Sequence, residues 1–228
     1  MSKIIFGIFA HPDDEAFGPS GALYLDVLSG AQLHLITLTL GEAGTNPDRV
    51  ADLGKVREQE WRAAGQLIGA TSLTYLGFQD GKLDNRAMIS AGQKIIELVK
   101  AKLADAPLDT TVEFVTTDLN GISGHIDHIV AARAACFAFY TLKASDQRLQ
   151  RIRLACVSHT DLPALNIDWL FMEPGRTETE IDEVVDARQY NDKIRAIMMC
   201  HQTQRHDLDY HLEQRRDDLG LYYFMIRQ

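Results

Sequence analysis

Short unbroken apolar runs alternate along the chain with longer segments in which apolar residues recur every three or four positions. The run "KIIFGIFA" (3–10) predicts a strand buried on both faces. Residues 15–29 read as a helix ending near Gly30, and "AQLHLITLTL" (31–40) as a second strand. "GEAGTNPD" (41–48) is a loop by its Gly, Asn and Pro content. A charged amphipathic helix over 49–69 stops at Gly69. "TSLTYLGF" (71–78) predicts a third strand, 86–104 a third helix, "TVEFVTTD" (111–118) a fourth strand, 125–141 a fourth helix and "RIRLACVSH" (151–159) a fifth strand.

This alternation implies right-handed βαβ units. The expected class is α/β, a Rossmann-like three-layer fold with a mostly parallel sheet and helices on both faces. Beyond residue 160 the pattern loosens: "LPALNIDWLFMEPG" reads as a long loop, "EIDEVVD" as a strand, 188–202 as a helix, and "LGLYYFMIRQ" as an edge strand or docked tail. No linker separates a second unit, so residues 1–228 are expected to form a single domain.

A formal net charge of −9 argues against a nucleic-acid partner. Cys136, Cys156 and Cys200 are odd in number and far apart, the usage of a cytoplasmic protein with reduced thiols. The first apolar run is too short for a signal segment or a membrane span, and "IVAARAACFAFY" carries Arg133, which fits a buried helix. The oligomeric state stays open, with room for a homo-oligomer.

In open parallel sheets, ligands collect beyond the carboxyl ends of the strands. There the chain places His11-Pro12-Asp13-Asp14-Glu15, then Gly41-Glu42, then Gln79-Asp80-Gly81, then Asp118 and Gly124-His125-Ile126-Asp127-His128. His11 and Asp14, three residues apart at a turn, can converge on one point. His125 and His128 share a face at a helix start. Two imidazoles and a carboxylate form an ordinary catalytic zinc shell with a fourth position for water, and Asp13 would stand beside it as general base. The plainer alternative is that Asp13 or Asp14 caps the following helix while Glu15 complements its dipole.

"AHPDDE" with "GHIDH" about a hundred residues later resembles the de-N-acetylase family of N-acetylglucosaminyl-phosphatidylinositol deacetylase (PIG-L) and LmbE-like proteins. "REQEWRAAGQLIGA" (57–70), "LGFQDGKL" (76–83) and "HQTQ" (201–204) are similar to further segments of that family. The resemblance implies one zinc ion per chain on His11, Asp14 and His128. It makes Asp13 the general base and His125 the group that stabilises the oxyanion, as imidazolium, or protonates the leaving amine. Asp127 would orient a histidine, and Arg57 and Asp80 would contact substrate. The implied reaction is hydrolysis of an N-acyl group on an N-acetylglucosamine-type amino sugar or its conjugate. Ile126 stands where the family commonly has proline.

Two other readings compete. A metallo-β-lactamase-like hydrolase needs a further histidine where Ser123 stands, and it leaves His11 to Asp14 unexplained. A non-catalytic Rossmann-like binding module would keep the metal residues as a closed structural site. Among the remaining polar residues, His34 inside a strand reads as structural. His159 and Glu42 lie at strand ends and are open as substrate contacts. His201 and Gln204 read as a helix face, and "HDLDYH" (206–211) as a solvated charged surface.

Overall fold

The computed structural model describes residues 2–160, 175–215 and 219–228. The predicted long loop over 162–175 lies almost wholly outside them.

Five parallel strands form the centre of the molecule: β1 (Lys3–Phe9), β2 (Gln32–Thr37), β3 (Ser72–Tyr75), β4 (Thr111–Thr117) and β5 (Leu149–Cys156). Two antiparallel strands, β6 (Glu183–Asp186) and β7 (Leu221–Arg227), complete a seven-stranded sheet of order β3-β2-β1-β4-β5-β7-β6. β1 is buried from Ile4 to Phe9 because helices cover both faces, which is why its sequence is continuously apolar rather than alternating.

One face of the sheet packs on α4 (Asn85–Leu103) and α6 (Ile126–Lys143), with Phe6, Phe114 and Phe139 at its centre. The other packs on α2 (Ser20–Leu28), α3 (Leu53–Ile68) and α7 (Asn191–Met198), around Phe9, Trp61 and Phe224. The expected α/β three-layer architecture is present. No helix among the described residues is long and apolar enough to cross a membrane.

Three expectations change. The helix over 15–29 is two helices, α1 (Asp14–Phe17) and α2, because Gly18 and Pro19 break the ladder between them. The C-terminal strand is not at the edge: β7 lies between β5 and β6, and β6 takes the edge with alternate residues exposed. The segment over 188–202 is a short 3₁₀ turn (Arg188–Tyr190) followed by α7, not one helix.

The strand order reverses between β2 and β4, on either side of β1. A crevice opens at that point beyond the strand ends.

Candidate active site

The chain leaving β1 enters this crevice in a constrained turn. Asp13 has φ 108°, ψ −28°, although it is not glycine. Its side chain makes no capping bond to α1, so the plainer reading of the acid cluster as a helix cap fails for Asp13. Its carbonyl instead accepts from Ala16 and Phe17, and its Oδ2 accepts from Arg57 Nη2 at 2.8 Å. Asp14 Oδ2 takes the N–H groups of Ala10 and His11, each at 3.0 Å, while its Oδ1 lies 3.1 Å from His128 Nε2. Glu15, with no exposed surface, points away to His201. The three adjacent acids thus have three separate sets of partners.

After β4 the chain turns through Gly121, whose φ of 73° and close approach to Ile129 exclude a side chain. The Gly121 carbonyl lies 3.2 Å from His128 Nδ1. That contact fixes the ring so that Nε2 faces the turn after β1, where it lies 3.1 Å from His11 Nδ1. His125 precedes α6 and caps it, its Nδ1 accepting the Asp127 N–H at 3.2 Å. Asp127 then falls on the buried stripe of α6. Its Oδ2 accepts from Gly81 N at 2.7 Å and lies 3.5 Å from His11 Nε2. Asp80, after β3, comes closer to that nitrogen, at 2.9 Å, and accepts the Ala43 N–H.

His11, Asp14 and His128 therefore offer three ligand atoms within 4.8 Å of one another. The outer nitrogen of each imidazole already has an oxygen partner, and the inner nitrogens face each other. Two ring nitrogens and a carboxylate oxygen turned to one point are unfavourable together unless a proton or a cation lies among them. The donor set, its second-sphere carboxylates and its backbone carbonyl all fit a buried divalent metal site. The second cluster, His11 with Asp80 and Asp127, shares the same ring and reads as the set that orients it.

The charges agree with the geometry. Burial alone would lower the His11 pKa, but the Asp127, Asp80, Asp14 and Asp13 carboxylates outweigh it and push it up to about 10. Burial opposes ionisation of Asp14, yet His128, His11 and the His11 N–H hold it well below the usual range. Asp80 is held at about 2, against its own burial, by His11 and the Ala43 N–H. Asp13 moves the other way: burial raises it to about 6, Arg57 pulling it down and Asp14 pushing it up. Burial and the neighbouring His128 and His11 lower His125, which favours its neutral form over the imidazolium expected from the sequence.

Arg57 occupies a place on α3 that an apolar residue would otherwise fill, in the buried stripe with Leu53, Trp61, Ala64 and Ile68. The residue is 4% exposed, and its guanidinium also bonds Gly41 O at 3.0 Å and Pro12 O at 2.6 Å. Gly41 makes room for it, since a Cβ there would stand 2.4 Å from Arg57 Cζ. Arg57 and Asp80, expected to contact substrate, line the cavity, but Arg57 Nη2 is bound to Asp13 and Asp80 Oδ1 lies against His11.

The cavity above this cluster measures about 840 Å³. Beyond the expected residues it is lined by Phe17, Asp118, Ile122, Gln204, Tyr222 and Tyr223, and by His206, Asp207 and His211 of α8 (Arg205–Arg215). The "HDLDYH" stretch is thus a cavity wall, not simply a solvated surface; His211 stacks on Phe17 with ring centroids 5.3 Å apart. Its polarity hid this, because a cavity wall built from His and Asp side chains shows no apolar stripe. His159 is exposed and absent from the lining. His34 is buried and bonded to Ser72, in keeping with a structural role.

The sequence profile of the GlcNAc-PI de-N-acetylases matches residues 6–140, the stretch that carries every one of these cluster residues. The chain belongs to that family. It is a deacetylase, an amidohydrolase of the LmbE type. It is 27% identical to the 1D-myo-inositol 2-acetamido-2-deoxy-alpha-D-glucopyranoside deacetylase of Acidothermus cellulolyticus, over 90% of this chain and 80% of the relative. The deacetylase also superposes on N,N'-diacetylchitobiose deacetylase from Pyrococcus horikoshii with a TM-score of 0.66, at 14% identity over 99% of this chain and 82% of that one. A 4-carboxy-2-hydroxymuconate hydratase from Pseudomonas putida superposes with a TM-score of 0.64, at 16% identity over 100% and 97% of the chains. The fold alone therefore does not choose the reaction.

Proposed function

We propose that this deacetylase removes the N-acetyl group from an uncharged N-acetylglucosamine conjugate, using one zinc ion held by His11 Nδ1, Asp14 and His128 Nε2. The observation that carries the reading is the convergence of those three donors beneath an 840 Å³ cavity. When bound, zinc supplies Lewis-acid chemistry at an amide carbonyl and lowers the pKa of water. Asp80 and Asp127 hold the His11 ring from its Nε2 side.

Asp13 is the base that accepts the proton of the attacking water. Its pKa of about 6 leaves it ionised at neutral pH yet basic enough for the task. Arg57 fixes Oδ2 and leaves the other oxygen for the proton. His125 accepts the Asp127 N–H through Nδ1, so its ring proton sits on Nε2. That neutral N–H is the donor for the developing oxyanion. The departing amine takes its proton from Asp13.

An uncharged substrate follows from the walls. Among the described residues lining the cavity, Arg57 is the one Lys or Arg, and three oxygens already hold it. Asp207 offers an acceptor to sugar hydroxyls, while the Asp118 carboxylate is held on both oxygens by Arg176, and Phe17, Tyr222 and Tyr223 offer flat apolar surface.

The test is acetate release from a panel of N-acetylglucosamine conjugates, a neutral polyol glycoside and a sugar phosphate among them, by metal-stripped protein with and without added zinc. Release from the neutral conjugate that appears only with zinc and is lost in His128→Ala is expected. Equal turnover without metal, or preference for the phosphate, overturns the respective part.

A further inference from the structure

The backbone of Asp13 is held in an unfavourable conformation, and something must hold it there. A non-glycine residue at φ 108° is strained and persists only where its surroundings over-determine it. Three groups do so. Arg57 holds the side chain, the first turn of α1 holds the carbonyl, and Glu15 Oε2 accepts the Asp13 N–H at 3.3 Å.

Glu15 is in turn held by one residue far along the chain. Its Oε1 lies 3.2 Å from His201 Nε2, and neither side chain has exposed surface. His201 Nδ1 is also buried and has no hydrogen-bond partner among the described residues, so within them the ring's polar contact runs to Glu15 alone. Phe17 packs beside it, ring centroids 5.9 Å apart. The turn that carries His201 is fastened at both ends. Thr203 bonds the Glu60 carboxylate on α3 through N at 2.9 Å and Oγ1 at 2.6 Å. The His201 N–H bonds Met198 O at the end of α7. A wholly buried acid–imidazole pair is not needed to cap so short a helix, and isosteric apolar groups would fill the same space at less cost.

We infer that His201 and Glu15 are positioning residues: together they lock the Asp13 backbone so that its carboxylate points at the reacting water. Neither touches substrate. Asp14 does not depend on them, because its carboxylate is anchored separately by the Ala10 and His11 N–H groups. This rests on Asp13 being the base, and the experiment separates the two ideas.

The experiment measures kcat, KM, zinc content and melting temperature for Glu15→Ala, Glu15→Gln and His201→Gln, each alone and combined with Asp13→Asn. Glutamine keeps an acceptor for the Asp13 N–H, and at 201 it keeps a donor for Glu15. Glu15→Ala is expected to lower kcat about 10–100-fold with KM and zinc content unchanged, Glu15→Gln and His201→Gln restoring it to within a few-fold. In the Asp13→Asn background, Glu15→Ala is expected to add less than about twofold, because residues acting as a unit are not additive. A full additional loss in that background overturns the inference, as does a fall in zinc equal to that of kcat. Should Glu15→Ala not fold, His201→Gln carries the same double-mutant test. If Asp13→Asn alone leaves kcat intact, the base assignment falls, and the inference with it.

Discussion

The two ends of the sheet carry two charge clusters of opposite design, one partly buried and one almost wholly so. At the amino ends of the strands, Lys3, Arg151 and Arg153 meet Asp26, Glu113 and Glu183, three cations against three anions. Each ion has a partner of opposite sign, and the Arg153 guanidinium also lies over the Phe224 ring. At the carboxyl ends, Asp13, Asp14, Asp80 and Asp127 gather around His11 with Arg57 as their permanent cation. The first cluster is complete in itself. The second has an excess of negative charge that only protons on imidazoles or an added cation can offset. A balanced network supports the fold, whereas an unbalanced one is poised for a ligand.

The largest effect that sharpens this contrast belongs to Asp14→Asn. An amide is a poorer ligand than a carboxylate, so zinc affinity and turnover should each fall on the order of 10³-fold. Urea unfolding of the metal-free protein should stay within about 1–2 kcal/mol of wild type, because Asn keeps an acceptor for the Ala10 and His11 N–H groups and relief of Asp13 offsets part of the lost attraction to His128 and His11. A large loss of metal-free stability would make the carboxyl-end cluster as structural as the other.

Glu113→Gln asks the converse question. Glu113 contacts Lys3 at 3.2 Å, Arg151 at 3.1 Å and Arg153 at 3.5 Å. Removing its charge leaves three cations facing only Asp26 and Glu183 in that network and should cost roughly 2–4 kcal/mol in urea denaturation. Zinc content and kcat should stay within about twofold of wild type. Loss of zinc in this variant would mean that the two ends are coupled through β1 and β4.

The smallest effect lies between the two clusters, at His34 on β2. Burial, with help from the Lys102 charge, lowers its pKa to about 4. Between that value and the ordinary 6.5 the unfolded chain binds a proton that the folded chain refuses. The His34 contribution to stability should therefore fall as pH drops through that window, by up to about 2–3 kcal/mol, and lie level above pH 7. His34→Gln keeps a partner for Ser72 but removes the titration. Its unfolding free energy should lose that slope, and an unchanged slope would assign it to His125, whose pKa burial also lowers.

The sequence exposed the parallel sheet well because strands buried on both faces are written as unbroken apolar runs. β7 has such a run too, but a run does not name its neighbours, and only the antiparallel pairing of β6 shows that β7 is interior. Gly18-Pro19 was a visible helix break inside a pattern that otherwise read as continuous. The donors His11, Asp14 and His128 were legible because spacing at a turn and on a helix face places them. The partners of Arg57, Asp80 and Glu15 were not, since each is met across 44, 69 and 186 residues respectively. Polar residues on a rim invite a substrate role, and nothing local reveals that a rim so rich in acid occupies them internally.

The placement of His11 and His128 also sets an order of events in time. The two rings touch across 117 residues of chain. For them to meet, the chain must lay β2 and β3 on one side of β1 and then cross back to set β4 on the other. Such non-local parallel pairing forms slowly. Until it does, a metal ion finds His11 and Asp14 as a two-donor fragment and no more. On the proposed zinc site, metal capture is consequently a late step of maturation: a growing chain gains its third donor only once His128 has been made, 117 residues after His11.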